Sequence, residues 1–261
     1  MNNAKAGIVE KIQHSAPINS VAELELVKAK SAIEQFIYSC SHTMRGPLKS
    51  IAGLVYLLKN SEESAEVDPK YYLQSIENTV AKLESVLNDL EQFLTNSSQG
   101  ITTRSIDAKE FVSTVLQEFQ DTIEEKKISA MITIKQSVPL YTDRNQFRII
   151  LSHLISNAIV YQNNKKEEKQ MSISIKVNSS VCMVRIRDNG IGMRDEIQPN
   201  IFRLFYRGSE RSAGAGVGLY ITKELLAKMG GVISVRSKAG EGSCFSFSIP
   251  NLSAREIQHN E

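Results

Sequence analysis

The chain has 261 residues, 41% of them hydrophobic and 23% charged, which suits one large or two modest packed domains and argues against disorder. Its formal charge of +2 gives no electrostatic reason to expect a nucleic-acid partner or a membrane surface. No apolar run approaches the ~18 residues that span a bilayer, and the N-terminus lacks a signal-peptide core. Cys40, Cys182 and Cys244 are odd in number, dispersed and not in metal-ligand spacing. That usage suits small buried thiols in a reduced, cytoplasmic compartment.

Residues 1–20 carry no recognisable module and read as an extension. From Val21 to Leu58, apolar residues recur at Ile33, Phe36, Cys40, Met44, Leu48, Ile51, Val55 and Leu58. Steps of three and four residues predict one stripe on a long helix. Asn60–Ser64 with Asp68-Pro69 predicts a turn and a fresh helix start. A second stripe follows at Tyr72, Ile76, Val80, Leu83, Leu87, Leu90 and Leu94. Two such helices make a hairpin with one apolar face, and pairing with a second copy into a four-helix bundle would cover it. This unit is expected over residues 21–98.

Asn96–Gly100 reads as a short polar linker, after which strands and helices alternate over residues 101–252, with 253–261 as a tail. Asp107 and Glu110 suggest a capping box opening a helix to about Ile123. Ile128–Ile134 reads as a strand, and Asp143 as the cap of a helix over Arg144–Tyr161. Met171–Val177 and Val181–Arg187 read as adjacent strands. Val217–Met229 is expected as a helix ended by Gly230-Gly231, and Val232–Arg236 with Cys244–Ile249 complete a mixed sheet.

Two glycine-rich turns stand out in this second part: Asp188-Asn189-Gly190-Ile191-Gly192-Met193, and Gly214-Ala215-Gly216-Val217-Gly218-Leu219. Glycine admits a ligand close to the backbone and reaches angles closed to other residues. The second turn runs into an apolar helical pattern, whose first N–H groups and dipole suit phosphate oxygens. Upstream, Asn157 sits beside the stripe Ile150, Leu151, Leu154, Ile155 and Ala158. Its neutral oxygen suits a hard cation already screened by phosphates. The combination favours ATP with magnesium over two unrelated turns.

Asn157, residues 188–193, Phe202–Phe205 and residues 214–221 together resemble the ATP-binding domain of bacterial sensor histidine kinases, within the gyrase-like ATPase superfamily. Residues Ile201–Arg207 are similar to that family's phenylalanine box, and Gly240–Ser243 with Phe245 to its closing turn and strand. Phe36–Leu48, with His42 at its centre, resembles the family's phosphoacceptor box. The resemblance covers roughly residues 30 to 250 and implies an architecture of two parts. A helical hairpin dimerises into a four-helix bundle, and an α/β sandwich ATP-binding domain follows.

The resemblance also implies roles. Asp188 accepts a hydrogen bond from the adenine amino group, Gly190 and Gly192 let backbone close around the base, and Gly216, Gly218 and Leu219 lie beside the phosphates. Asn157 holds Mg2+, and His42 takes the γ-phosphoryl group of ATP and passes it to an aspartate of a response regulator. His42 is offset by two residues from Cys40 on the stripe, which turns it toward solvent. Pro47 cannot donate to the carbonyl of Thr43, so a bend is expected beside the histidine.

Several positions depart from the family. Thr43 stands where an acidic residue usually follows the histidine; a general base contributes ~10²–10⁴-fold, so autophosphorylation is expected to be slowed. Gly46 stands where Thr or Asn commonly positions water for phosphatase action. His153 replaces the frequent first Asn of the magnesium helix, and Val160 replaces a common basic residue. Arg207, Arg211 and Lys165 are candidates to supply that charge. Two other readings compete: a dimeric ATP-binding scaffold with weak or no autokinase activity, and a hydrolysing clamp of the gyrase-like kind. The clamp is disfavoured because its water-activating Glu would occupy the position of His153.

Overall fold

The computed structural model describes residues 44–60, 68–98, 100–208 and 216–251. Residues 44–60 form helix α1, and α2 spans Pro69–Ser98. Asp68 fixes the start of α2, its Oδ1 accepting the Lys70 N–H at 2.9 Å, with Pro69 in the first turn where no N–H is needed. The earlier part of the first expected helix, with Phe36, Cys40, His42 and Thr43, lies outside the described residues, as does 61–67. Asn96, Ser97 and Ser98, expected as linker, instead continue α2. Polar residues lower helix propensity without forbidding it, and no Gly or Pro intervenes before Gly100. Along the two stripes Leu48, Val80 and Leu87 are 57%, 40% and 52% exposed. No helix among the described residues is long and apolar enough to cross a membrane.

From Gly100 the order is β1 (Thr103–Ile106), α3 (Ala108–Gln117), α4 (Gln120–Glu125), β2 (Ile128–Gln136), β3 (Leu140–Asp143) and α5 (Arg144–Val160). Then come β4 (Lys169–Val177), β5 (Val181–Asp188), a 3-10 turn at Gln198–Asn200, α6 (Gly218–Lys228), β6 (Val232–Lys238) and β7 (Gly242–Pro250). The main sheet has the order β2-β4-β5-β7-β6, with β2 parallel to β4 and the remaining pairs antiparallel. Its apolar face, including Ile173, Ile175, Ile186 and Phe247, shares one core with Phe111, Phe147, Leu154, Ile221 and Leu225 of the helices. Phe147 stacks on Phe111 at 5.5 Å and meets Phe247 edge-on at 6.1 Å, tying α3, α5 and β7 together. The result is a mixed sheet with helices on one face, an α/β sandwich of the expected kind.

Two details differ from expectation. The helix predicted from Asp107 to Ile123 is interrupted: Phe119, at φ −108° and ψ 3°, leaves helical geometry and separates α3 from α4. Strands β1 and β3 were not expected. Each has four residues, and they pair antiparallel with Thr103 opposite Asp143. Asp143 explains why so short a pair is stable. Its Oδ1 caps α5 through the Asn145 and Gln146 N–H groups at 3.0 Å, and its Oδ2 accepts the Thr102 N–H at 2.8 Å. Asp107 caps α3 as predicted, accepting from Lys109 and Glu110 at 2.8 and 2.9 Å.

Candidate functional site

Helix α5 buries Phe147, Ile150, Leu151, Leu154 and Ile155 in the core. Its other flank, His153, Ser156, Asn157 and Val160, lines a cavity of about 270 Å³. Spacings of three and four residues put these on one side of the helix. The opposite walls are the turn after β5, residues Tyr206–Gly208, the start of α6, and Ser243 with Phe245 of β7. Asn157 and Asp188, distant in sequence, share this cavity with Gly192, Gly216, Gly218 and Leu219. Gly190 is not among its lining residues.

Asp188 ends β5 and is 6% exposed. Its Oδ1 accepts the Gly190 N–H at 2.8 Å and the Ser243 N–H at 3.2 Å. Both bonds use one oxygen, so Oδ2 is the carboxylate atom a ligand would meet. Burial pushes its pKa from 3.8 to about 6, against the lowering effect of the two N–H groups and the Lys166 charge. Asp188 is thus both the turn-former that an Asp-Asn-Gly sequence suggests and a buried acid at a cavity wall. Asn189 completes the turn: its Nδ2 donates to Glu168 O at 2.9 Å and its Oδ1 accepts the Gln170 N–H at 2.8 Å.

The glycines have a reason to be glycine that needs no ligand. A Cβ on Gly190 would lie 2.2 Å from the Tyr161 carbonyl oxygen, where the Ile191 N–H bonds at 2.9 Å. On Gly192, at φ +60°, it would lie 1.9 Å from Lys238 O. At Gly216, φ +75°, it would meet Tyr206 O at 2.6 Å, beside the bond from Phe205 N–H to Gly216 O. Gly218 differs, since a Cβ there meets the His153 ring at an ordinary 3.5 Å. Among the described residues no side chain caps α6, whose N-terminus at Val217-Gly218-Leu219 borders the cavity.

Other residues were not legible as part of the site. Lys166 donates to the carbonyls of Asn189 at 2.7 Å and Glu241 at 3.4 Å, fastening the two turns. Ser237 Oγ accepts the Met193 N–H at 2.8 Å. Tyr161 adds an apolar wall, beside Met193 and Tyr206, which belong to segments already singled out in the sequence. Of the three cations considered as replacements at Val160, Arg207 lines the cavity, Lys165 does not, and Arg211 lies outside the described residues. The segment from Ile201 is anchored by Ile201, which is buried, and by Phe202, edge-on to Phe245 at 6.5 Å. His42 lies outside the described residues; Gly46, in α1, is exposed.

The cavity chemistry fits a magnesium nucleotide. A buried carboxylate oxygen suits an exocyclic amino group, an amide oxygen suits a hard cation, and an uncapped helix start suits phosphate. No group of three or more His, Cys, Asp or Glu side chains that could hold a metal occurs among the described residues.

Residues 142–253 match the family described as histidine kinase-, DNA gyrase B-, and HSP90-like ATPase. This region belongs to that family. The match begins at β3 and ends after β7, so it contains every described cavity wall. Cyanobacterial phytochrome B of Nostoc sp. (strain PCC 7120) is 30% identical over 97% of this chain and 33% of its own length. The methanogenesis regulatory histidine kinase FilI of Methanothrix harundinacea is 29% identical over 86% of this chain and 25% of its own. The chain thus spans a third or less of these curated relatives. The histidine kinase ThkA, solved in complex with the response regulator protein TrrA, shares the fold at TM-score 0.69 and 18% identity, covering 92% of this chain and 68% of that one. Residues 142–253 are thus similar to the ATP-binding region of sensor histidine kinases.

Proposed function

We propose that the chain is the kinase core of a two-component system, binding Mg-ATP in the α5–α6 cavity and transferring the γ-phosphoryl group to His42. The observation that carries this reading is the convergence of Asp188, Asn157 and the uncapped start of α6 on one cavity, in a chain that also holds the His42 box. Asp188 Oδ2 accepts the adenine amino proton while Oδ1 holds the turn. Asn157 supplies an amide oxygen to the metal, and the α6 terminus and Arg207 face phosphate charge. Mg2+, when bound, neutralises the phosphates. A ring nitrogen of His42 forms the N–P bond as the bond from the γ-phosphorus to the β–γ bridging oxygen breaks, and ADP leaves. The phosphoryl group then passes to an aspartate of a response regulator, the kind of partner found with ThkA.

The exposed stripe residues Leu48, Val80 and Leu87 support a homodimer through the helices of residues 21–98, closing a four-helix bundle. Residues 101–252 form the ATP-binding domain in this reading. Thr43 favours a second outcome, an ATP-binding scaffold with attenuated autokinase activity, because a hydroxyl cannot act as base near neutral pH.

Incubation with γ-labelled ATP and magnesium tests the proposal. Acid-labile label on the wild type and none on His42→Gln is the expected result. A chain that binds ATP yet never labels supports the scaffold reading. Thr43→Glu distinguishes the two further: it speeds labelling if the missing acid is limiting.

A further inference from the structure

A sheet covered by helices on one side must show its other side to something else, and such a face normally mixes charge signs across neighbouring strands. Here it does not. The strand registers align three rows on the open face. They are Lys135-Lys176-Met183-Ser248-Val232, Thr133-Ser174-Arg185-Ser246-Ser234, and Met131-Ser172-Arg187-Cys244-Arg236. Of these fifteen positions five are Lys or Arg and none is Asp or Glu. All five cations are exposed, and among the described residues none of them forms an ion pair. Lys135 stands directly opposite Lys176, and Arg185 and Arg187 share a strand face, so like charges adjoin where compensation is usual.

The chain carries +2 overall, so everything outside these five residues sums to 2 − 5 = −3. The near-neutral total conceals a segregated charge. On sheet spacings the cations occupy an area of about 19 Å by about 14 Å. Met131, Met183 and Val232, 66%, 44% and 69% exposed, are interspersed with them. No Phe, Tyr or Trp occurs in the three rows, so the face has neither a stacking platform for bases nor the aromatic anchor typical of a protein interface.

We propose that this open sheet face docks the protein on an anionic lipid surface. The guanidinium and ammonium groups meet headgroup phosphates, the Ser and Thr hydroxyls between them add hydrogen bonds, and the exposed Met and Val side chains reach the acyl boundary. Charge without aromatic anchors suits a laterally mobile sheet of phosphates, which needs no fixed register. The inference is independent of phosphotransfer, since none of the five cations lines the nucleotide cavity.

Co-sedimentation of the full chain with vesicles tests it, using phosphatidylcholine alone or with about 30 mol% phosphatidylglycerol at about 0.1 M salt. Pelleting only with the anionic vesicles, weakened by added salt, is expected. Arg185→Glu/Arg187→Glu/Arg236→Glu should abolish it while circular dichroism stays unchanged. If that variant misfolds, Arg185→Gln alone decides: it should weaken binding about fivefold. Absent binding to anionic vesicles, equal binding to neutral ones, variants that bind like the wild type, or tighter binding to a duplex DNA probe would each overturn the proposal.

Discussion

Asp188 serves two purposes with one carboxylate, and they conflict. Oδ1 holds the Gly190 and Ser243 N–H groups, a task an amide oxygen could share, while the charge is held in a buried place. Its folded pKa of about 6 lies above the ordinary 3.8, so the folded form binds the proton more tightly than the unfolded chain. The stability from this group is therefore full below about pH 4 and lost as pH rises through about 6, roughly 3 kcal/mol in all (2.2 units at 1.36 each). Asp188→Asn should raise the thermal midpoint at pH 7, with the gain shrinking toward pH 4. A midpoint at pH 7 equal to or below the wild type's would show that burial of the charge is not a strain on the fold. Gly192 poses a different constraint. Alanine there would place Cβ 1.9 Å from a carbonyl oxygen at φ +60°, whereas at Gly240, φ +83°, nothing lies within 4 Å. In urea titrations Gly192→Ala should lose more than about 2 kcal/mol and Gly240→Ala about 1 kcal/mol. Equal losses would mean that the turn relaxes freely.

Helices α1 and α2 leave stripe residues uncovered, in contrast to α5 and α6, whose apolar sides are shut in the core. A second copy is the expected cover. Leu48→Arg with Leu87→Arg should turn a dimer into a monomer in sedimentation at micromolar concentration and leave ATP affinity within about twofold of wild type. A wild type that is already monomeric there would remove the four-helix-bundle proposal. Elements with several turns or alternations were legible in the sequence: α5 and its Asp143 cap, α6 and its Gly230 stop, and β4 with β5. Strands β1 and β3 were not, because four residues hold barely two alternations and their pairing depends on Asp143 reaching Thr102 across the fold. The break between α3 and α4 escaped as well. Phe119 continues the apolar pattern while its backbone turns away.

Across the whole molecule, what the sequence revealed were side chains with chemistry of their own, Asp188 and Asn157, and glycines in unusual number. It concealed contributions made through backbone atoms, such as the Ser243 N–H on Asp188 and the carbonyls that Lys166 fastens, because any residue supplies an amide. It suggested only a ligand-facing reason for the glycines, whereas Gly190, Gly192 and Gly216 also face neighbouring backbone, Gly192 and Gly216 while lining the cavity. Net charge, a sum with no location, likewise hid the five exposed cations that share the open sheet face. The nucleotide cavity remains the part on which the functional reading depends. Calorimetric titration with Mg-ATP of the wild type, Asp188→Asn and His42→Gln tests it most directly. One saturable site is expected in the wild type and in His42→Gln, and its loss in a folded Asp188→Asn. Undiminished ATP affinity in Asp188→Asn would contradict it.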